Sequence, residues 1–161
     1  MLKLQWDMAD PKIVDSLCTT CLLGPNAIDP AELPVDVLEN AISDSVWEPY
    51  WPWFRVGRAL LSYREGKHQE SLVWTDVKGD ESKSPKVAIA CRLGIRAMAQ
   101  QQLGQTETAR QTLQAAKSII PVDVRNLGVD LGSRPAPSAV VYSRWLIAEC
   151  LRRQAASLIE N

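Results

Sequence analysis

The chain has 161 residues, a length that suits one domain with a single hydrophobic core. Hydrophobic residues make up 46% and charged residues 23%, a balance that excludes a disordered chain. The net charge of −1 gives no bulk electrostatic reason for nucleic acid or an anionic membrane to be the partner, and no apolar run reaches the ~18 residues that span a bilayer.

Met1 to Asp10 carries one lysine and two aspartates with no apolar block, so it does not read as a signal peptide. Four cysteines without an export signal lead us to expect reduced thiols and a cytoplasmic protein. Six tryptophans stand against a single phenylalanine, and ten prolines fall mostly in short clusters that divide the chain into segments.

The segments have helical periodicity. The first is expected from about Pro11 to Leu23, behind an Asp10-Pro11 start of the cap-then-proline kind, and is stopped by Gly24-Pro25-Asn26. A second spans roughly Pro34 to Ser43 and leads into the Trp47–Trp53 cluster. In the third, Trp53, Val56, Leu60 and Tyr63 share one face, while Arg55, Arg58 and Ser62 are expected to face away. It ends at Gly66, and a short partner follows from His68 to Val77. Gly79 to Pro85 reads as a polar loop.

The next helix, about Lys86 to Leu103, carries two apolar rows, Val87, Ala90, Gly94 and Ala97 beside Cys91, Ile95 and Met98. Arg92, Arg96 and Gln100 form its expected solvent stripe. A wide face of small residues suits a helix with close neighbours on two sides. After Gly104, Thr106 is placed to cap a helix whose buried row is Ala109, Leu113, Ala116 and Ile120, ending at Pro121. Val122 to Pro137 reads as irregular. A final helix of about twenty residues starts near Ser138, with Arg144, Glu149, Arg153 and Glu160 expected in solvent and Glu149 paired to Arg153. No segment alternates with period two for long enough to be a strand.

Two of these segments repeat. Ala59 to Gly66 followed by Ser71 matches Ala97 to Gly104 followed by Ala109, at an offset of 38 positions from Gly66 to Gly104. Small residues where paired helices cross, glycine at the turn and proline at the end make the pattern of a tetratricopeptide repeat, whose usual period is about 34 residues. The polar loop absorbs the difference. The first copy is degenerate, with Ser71 and Thr75 at expected apolar positions. A repeat cannot bury its own apolar face, so the first helix pair and the long last helix are expected to cover it. The fold class is therefore expected to be all-α. It reads as one TPR-like helical-hairpin solenoid of about seven helices: a helix pair at 1–46, repeats at 50–78 and 85–121, and a capping helix at 138–160.

A more particular resemblance rests on ordered pieces. Trp51-Pro52-Trp53-Phe54, then Ala59-Leu60-Leu61-Ser62-Tyr63-Arg64-Glu65-Gly66, then Glu70-Ser71-Leu72-Val73-Trp74 are flanked by Cys21-Leu22-Leu23-Gly24-Pro25 upstream and the helix Trp145 to Ile159 downstream. Together they resemble the helical C-terminal region of planctomycete-type bacterial serine/threonine protein kinases, over nearly the whole chain and in the same order. The resemblance implies a C-terminal piece, or a stand-alone relative, of such a kinase's repeat region. It also implies a protein or peptide partner, an upstream kinase domain in the same chain among the candidates. The chain opens only a few residues before its first helix, as a truncated gene would. Kinase activity is not implied: the glycine-rich phosphate loop, strand lysine, catalytic Asp with its Asn, and metal-binding Asp are absent from the sequence. Val87-Ala88-Ile89-Ala90 imitates the lysine strand, but Ala90 stands where the amine would be.

No residue is read as catalytic, cofactor-binding or metal-binding. Cys18-Thr19-Thr20-Cys21 has redox or zinc spacing, but an all-α chain lacks the strand–helix context of the first, and Cys91 and Cys150 are isolated for the second. Buried structural thiols are expected. His68, the only histidine, is expected to pack at a helix start. The Trp47–Trp53 cluster is either a wedge between the helix pair and the repeats or an exposed hot spot. Arg92, Arg96, Arg152 and Arg153 are expected on solvated faces. The expected partner-binding groove is lined by Val56, Leu60, Tyr63, Arg64, Met98, Gln101 and Gln102. That lining is neutral and partly apolar, so it does not suit a clamp for acidic tails. Two alternatives to an interaction scaffold stay open: a cysteine-based metal or redox protein, and a purely structural fragment of a larger kinase.

Overall fold

The computed structural model describes residues 10–25, 27–76, 84–121 and 139–160, with 139–142 described by their backbone alone. The expected irregular stretch at 122–137 and most of the polar loop at 79–85 lie outside the described residues. Those described form seven α-helices: α1 (Pro11–Leu23), α2 (Val35–Ser43), α3 (Trp51–Arg64), α4 (His68–Thr75), α5 (Lys86–Gln102), α6 (Thr106–Ile119) and α7 (Ala139–Ile159). Two short 3-10 turns, Pro30–Glu32 and Ser45–Tyr50, precede α2 and α3. No strand occurs among the described residues, and the class is all-α. None of these helices is long and apolar enough to cross a membrane.

Local chemistry sets the helix ends. The Asp10 carboxylate accepts the Lys12 N–H at 2.9 Å, and Pro11 at the first helical position has no N–H to satisfy. Asp29 and Asp44 cap the two 3-10 turns in the same way, each at 3.0 Å. Thr106 does not cap α6 as expected. It is that helix's first residue, Gln105 holds the cap position, and no side chain bonds there.

The chain divides into two compact units, Met1–Asp76 and Val77–Asn161. In the first, α3 is the centre, with α1, α2 and α4 all packed on it. A helix contacted on so many sides is buried nearly all round: Phe54, Val56, Ala59, Leu60, Leu61, Ser62 and Tyr63 are all inside. Ser62 was expected in solvent. It is fully buried, and Arg58 is nearly so, because α4 folds back over the face they occupy.

The second unit places α5 between α6 and α7. The expected row of α6 is confirmed, with Ala109, Leu113, Ala116 and Ile120 all buried, and α7 contributes Ala148, Leu151, Ala155 and Ile159 at helical spacing. Each fully buried leucine or isoleucine here contributes about 1.5–3 kcal/mol. α5 keeps no continuous solvent stripe: Arg92 and Gln100 are 4% and 3% exposed, and Arg96 is half-buried. With partners on two flanks, little of its circumference is left to water. Gly94 marks the closest approach, since a Cβ there would lie 3.1 Å from Leu151 Cβ and 3.4 Å from the Arg152 backbone nitrogen.

The two hairpins close through the same turn. At the end of α3, Gly66 has φ 76°, its N–H bonds Tyr63 O at 3.1 Å, and the Lys67 N–H bonds Ser62 O at 2.9 Å. At the end of α5, Gly104 has φ 75°, its N–H bonds Gln101 O at 3.0 Å, and the Gln105 N–H bonds Gln100 O at 2.9 Å. This is the Schellman arrangement, which satisfies carbonyls a helix end would otherwise leave bare. The next helices also start alike, with Ser71 N–H to Lys67 O at 3.0 Å and Ala109 N–H to Gln105 O at 2.9 Å.

Nothing lies within 4 Å of a Cβ added at Gly104, so only its backbone conformation resists substitution. Gly104→Ala is expected to lower the unfolding free energy by about 1 kcal/mol in a denaturant titration, and Gly104→Asn by less. Gly94→Val drives a branched side chain into the α7 backbone and is expected to cost about 2 kcal/mol in the same assay.

Candidate functional site

The seven residues expected to line a groove fall into both units, four on α3 and three on α5. Val56 and Leu60 lie 1% and 0% exposed, Tyr63 8% and Met98 0%, so their side chains are packed away from water. Arg64 is half-buried and directed back to α1. Its Nε donates to Leu22 O at 2.8 Å and an Nη to Leu23 O at 3.0 Å, capping the end of that helix with a cation where the dipole favours one. Gln101 is half-buried and its Oε1 accepts no hydrogen bond, while Gln102 is exposed. Of this set, then, only Gln102, beside the Gly104 turn, is exposed, since Gln101 Oε1 is itself a buried atom.

His68 opens α4 half-buried, with its ring 5.4 Å from that of Tyr63. The position is one of packing at a helix start. All four cysteines are free thiols. Cys18 and Cys91 are buried, Cys21 is half-buried and Cys150 is exposed. Burial pushes the Cys18 thiol up to about 12, with the charge of Asp15 acting in the same sense, which disfavours a thiolate nucleophile at neutral pH. Among the described residues no three of histidine, cysteine, aspartate and glutamate gather as a metal would require.

A polar network absent from the sequence reading joins α2, α3 and α4. Arg58 donates through Nε to Glu39 at 2.8 Å and through its two Nη atoms to Ser62 at 3.2 Å and Glu70 at 2.9 Å. Its guanidinium also lies 5.5 Å from the Trp74 ring. Glu70 further accepts the Ser62 hydroxyl at 3.1 Å and the Trp74 indole N–H at 3.3 Å. The sequence signals were the i,i+4 pairs Arg58/Ser62 and Glu70/Trp74, each visible on its own helix. Their meeting was not visible, because it depends on α4 returning along α3.

Burial pushes the Glu70 carboxyl upward, but the donors Trp74 and Ser62 and the charges of Arg58 and Lys67 outweigh it and hold the group below its ordinary value. Glu149 on α7 behaves alike. Expected in solvent, it is 4% exposed, and Arg152 at 2.7 Å and Arg153 at 2.7 Å draw its carboxyl below the usual range against the opposing effect of burial. Arg153 is the expected i,i+4 partner. Arg152, expected on a solvated face, is mostly buried beside it.

The Trp47–Trp53 cluster divides between core and surface. Phe54 is buried and Trp47, Trp51 and Trp53 are half-buried, whereas Tyr50 is 39% exposed. The Trp51 indole N–H is bonded to Ala41 O at 3.1 Å, which ties α3 to α2. Trp47 meets Tyr50 edge-on, Tyr50 stacks on Phe54, and the ammonium of Lys12 lies over the Trp47 and Tyr50 rings.

Comparison of the chain with protein-family models, with characterised proteins and with solved structures gave no match in any of the three.

A thiol-reactive probe is expected to label Cys150 rapidly in the native protein and Cys18 and Cys91 only after denaturation; equal rates would contradict the burial. Arg58→Ala, which leaves Glu70 facing Ser62 and Trp74 without its cation, is expected to cost about 2 kcal/mol in unfolding experiments. Glu70 has a lowered folded-state value, so its contribution to stability is present above the ordinary glutamate range and is lost as pH falls through that lowered value. Stability followed from neutral pH to about pH 3 should therefore fall less steeply for Glu70→Gln than for the parent chain.

Proposed function

We propose that the chain is a protein-interaction scaffold of TPR-like repeat type, related to the C-terminal helical region of bacterial serine/threonine kinases, with no chemistry of its own in these residues. The observation that carries this reading is the pair of hairpins α3–α4 and α5–α6. Their turns reproduce one another bond for bond, from Ser62, Tyr63, Gly66 and Lys67 to Gln100, Gln101, Gly104 and Gln105. A helical hairpin repeated in sequence and in backbone is the unit of repeat proteins, which use the surfaces of stacked hairpins to hold other polypeptides. The buried, poorly ionised Cys18 supports an interaction role over a cysteine-based activity.

In this reading the accessible part of the expected groove is the end of α5, where the exposed Gln102 offers its amide group for a partner's backbone. The partner is a protein or peptide segment, an attached kinase domain included. Panning a library of short random peptides on the immobilised chain tests the proposal. A recurring motif should emerge. Its affinity should drop about tenfold for a Gln102→Arg variant of unchanged helicity. Failure of any motif to enrich would count against the scaffold; enrichment indifferent to the Gln102 variant would move the site off the end of α5.

A further inference from the structure

The start of α1 and the 3-10 turn before α3 meet in a corner that holds a cation. The Lys12 ammonium lies 5.6 Å from the Trp47 ring centroid and 5.3 Å from that of Tyr50, with Asp10 Oδ2 3.4 Å away. The two rings are 6.0 Å apart and inclined at 63°, so they stand as adjoining walls with the carboxylate as a third side. Behind them the buried Phe54 ring lies 6.2 Å from Trp47 and 6.3 Å from Tyr50, which fixes the corner to the core of the first unit. Aromatic faces carry negative potential, and aromatic walls joined to a carboxylate favour an alkylammonium over a neutral side chain.

This corner is open to water. The Lys12 side chain is 44% exposed and Tyr50 39%, and next in sequence to Lys12 and Trp47, Ile13 and Val46 are 64% and 74% exposed. Ile13 and Val46 are the two most exposed large hydrophobic residues among those described. The charges complement a basic ligand: Asp44, which caps Val46, and Glu48, next to Trp47, are both exposed, and Asp10 is partly so. Among the described residues the Lys12 ammonium is held there by an exposed ion pair and by contacts with the half-buried Trp47 ring and the exposed Tyr50 ring, which are weak, so a better-placed cation displaces it readily.

We propose that the Trp47–Tyr50 corner docks a lysine-bearing segment of a partner protein. The incoming ammonium replaces that of Lys12 between the rings and Asp10, and neighbouring apolar side chains of the segment cover Ile13 and Val46. The proposal deepens the scaffold reading and rests on it.

The test is a titration of the full chain and of its Lys12→Ala variant with an acetylated, amidated peptide of alternating leucine and lysine. It is read at the indole N–H resonance of Trp47, with the other tryptophans as internal controls. Binding is expected at Trp47 in both, about tenfold tighter in the variant, with no response to the same peptide carrying glutamate for lysine. Lys12→Gln keeps the stem without the charge and should behave as the alanine variant does, which guards against a folding defect. A Trp47 resonance unmoved in both variants, or moved equally by the glutamate peptide, overturns the proposal. So does a shift as strong with tetramethylammonium alone, which would make the corner a small-cation site, or a concentration-dependent shift without peptide, which would give the surface to a second copy. Shifts confined to other tryptophans would sink the corner and leave the scaffold reading standing, whereas the peptide panning tests that reading by itself.

Discussion

The chain reverses direction at two glycines whose backbone sits in the left-handed region, and the hairpins depend on that reversal. An L-residue with a side chain resists such a conformation, so the turn falls most favourably where glycine stands. Once Gly66 turns the chain, α4 must run back along α3, and the residues facing each other there are decided. Ser71 meets Ala59 closely enough for its hydroxyl to bond the Ala59 carbonyl at 2.9 Å. The same reversal at Gly104 sets α6 against α5 and buries Ala97, Ala109, Leu113 and Ala116 together.

Several polar residues in or beside the two cores find partners, some across helices and some within one. Ser71 and Thr75, at positions where a regular repeat has apolar residues, turn their hydroxyls to backbone carbonyls and so cost little on burial. Ser62 and Glu70 are satisfied by Arg58, and Glu149 by two arginines of its own helix. Removing one member of such a group strands the others, so breaking one of these contacts costs more than the contact contributes by itself.

The candidate surfaces lie where the core is complete and side chains are left over. α3 and α5 are so thoroughly enclosed that their apolar residues are structural, and what remains for recognition is at helix ends and turns. Gln102 stands beside the Gly104 turn, and Lys12, Trp47 and Tyr50 stand where α1 begins and the 3-10 turn leads into α3. These are the places where backbone geometry holds side chains steady without burying them.

The sequence by itself determined the all-helical class, the helix limits to within a residue or two, the repeated glycine turn and the buried row of α6. All of these follow from short-range chemistry: caps, prolines, glycines and the 3.6-residue period read within one segment. Only the tertiary structure decided which polar residues go inside. Arg58, Ser62, Arg92, Gln100 and Glu149 sit on faces that an isolated helix would give to water, and they are covered because neighbouring helices pack there. The corner of Trp47, Tyr50 and Lys12 was equally hidden, since it joins residues more than thirty positions apart. Periodicity reports how one helix divides its own surface, and burial depends on how many partners that surface meets.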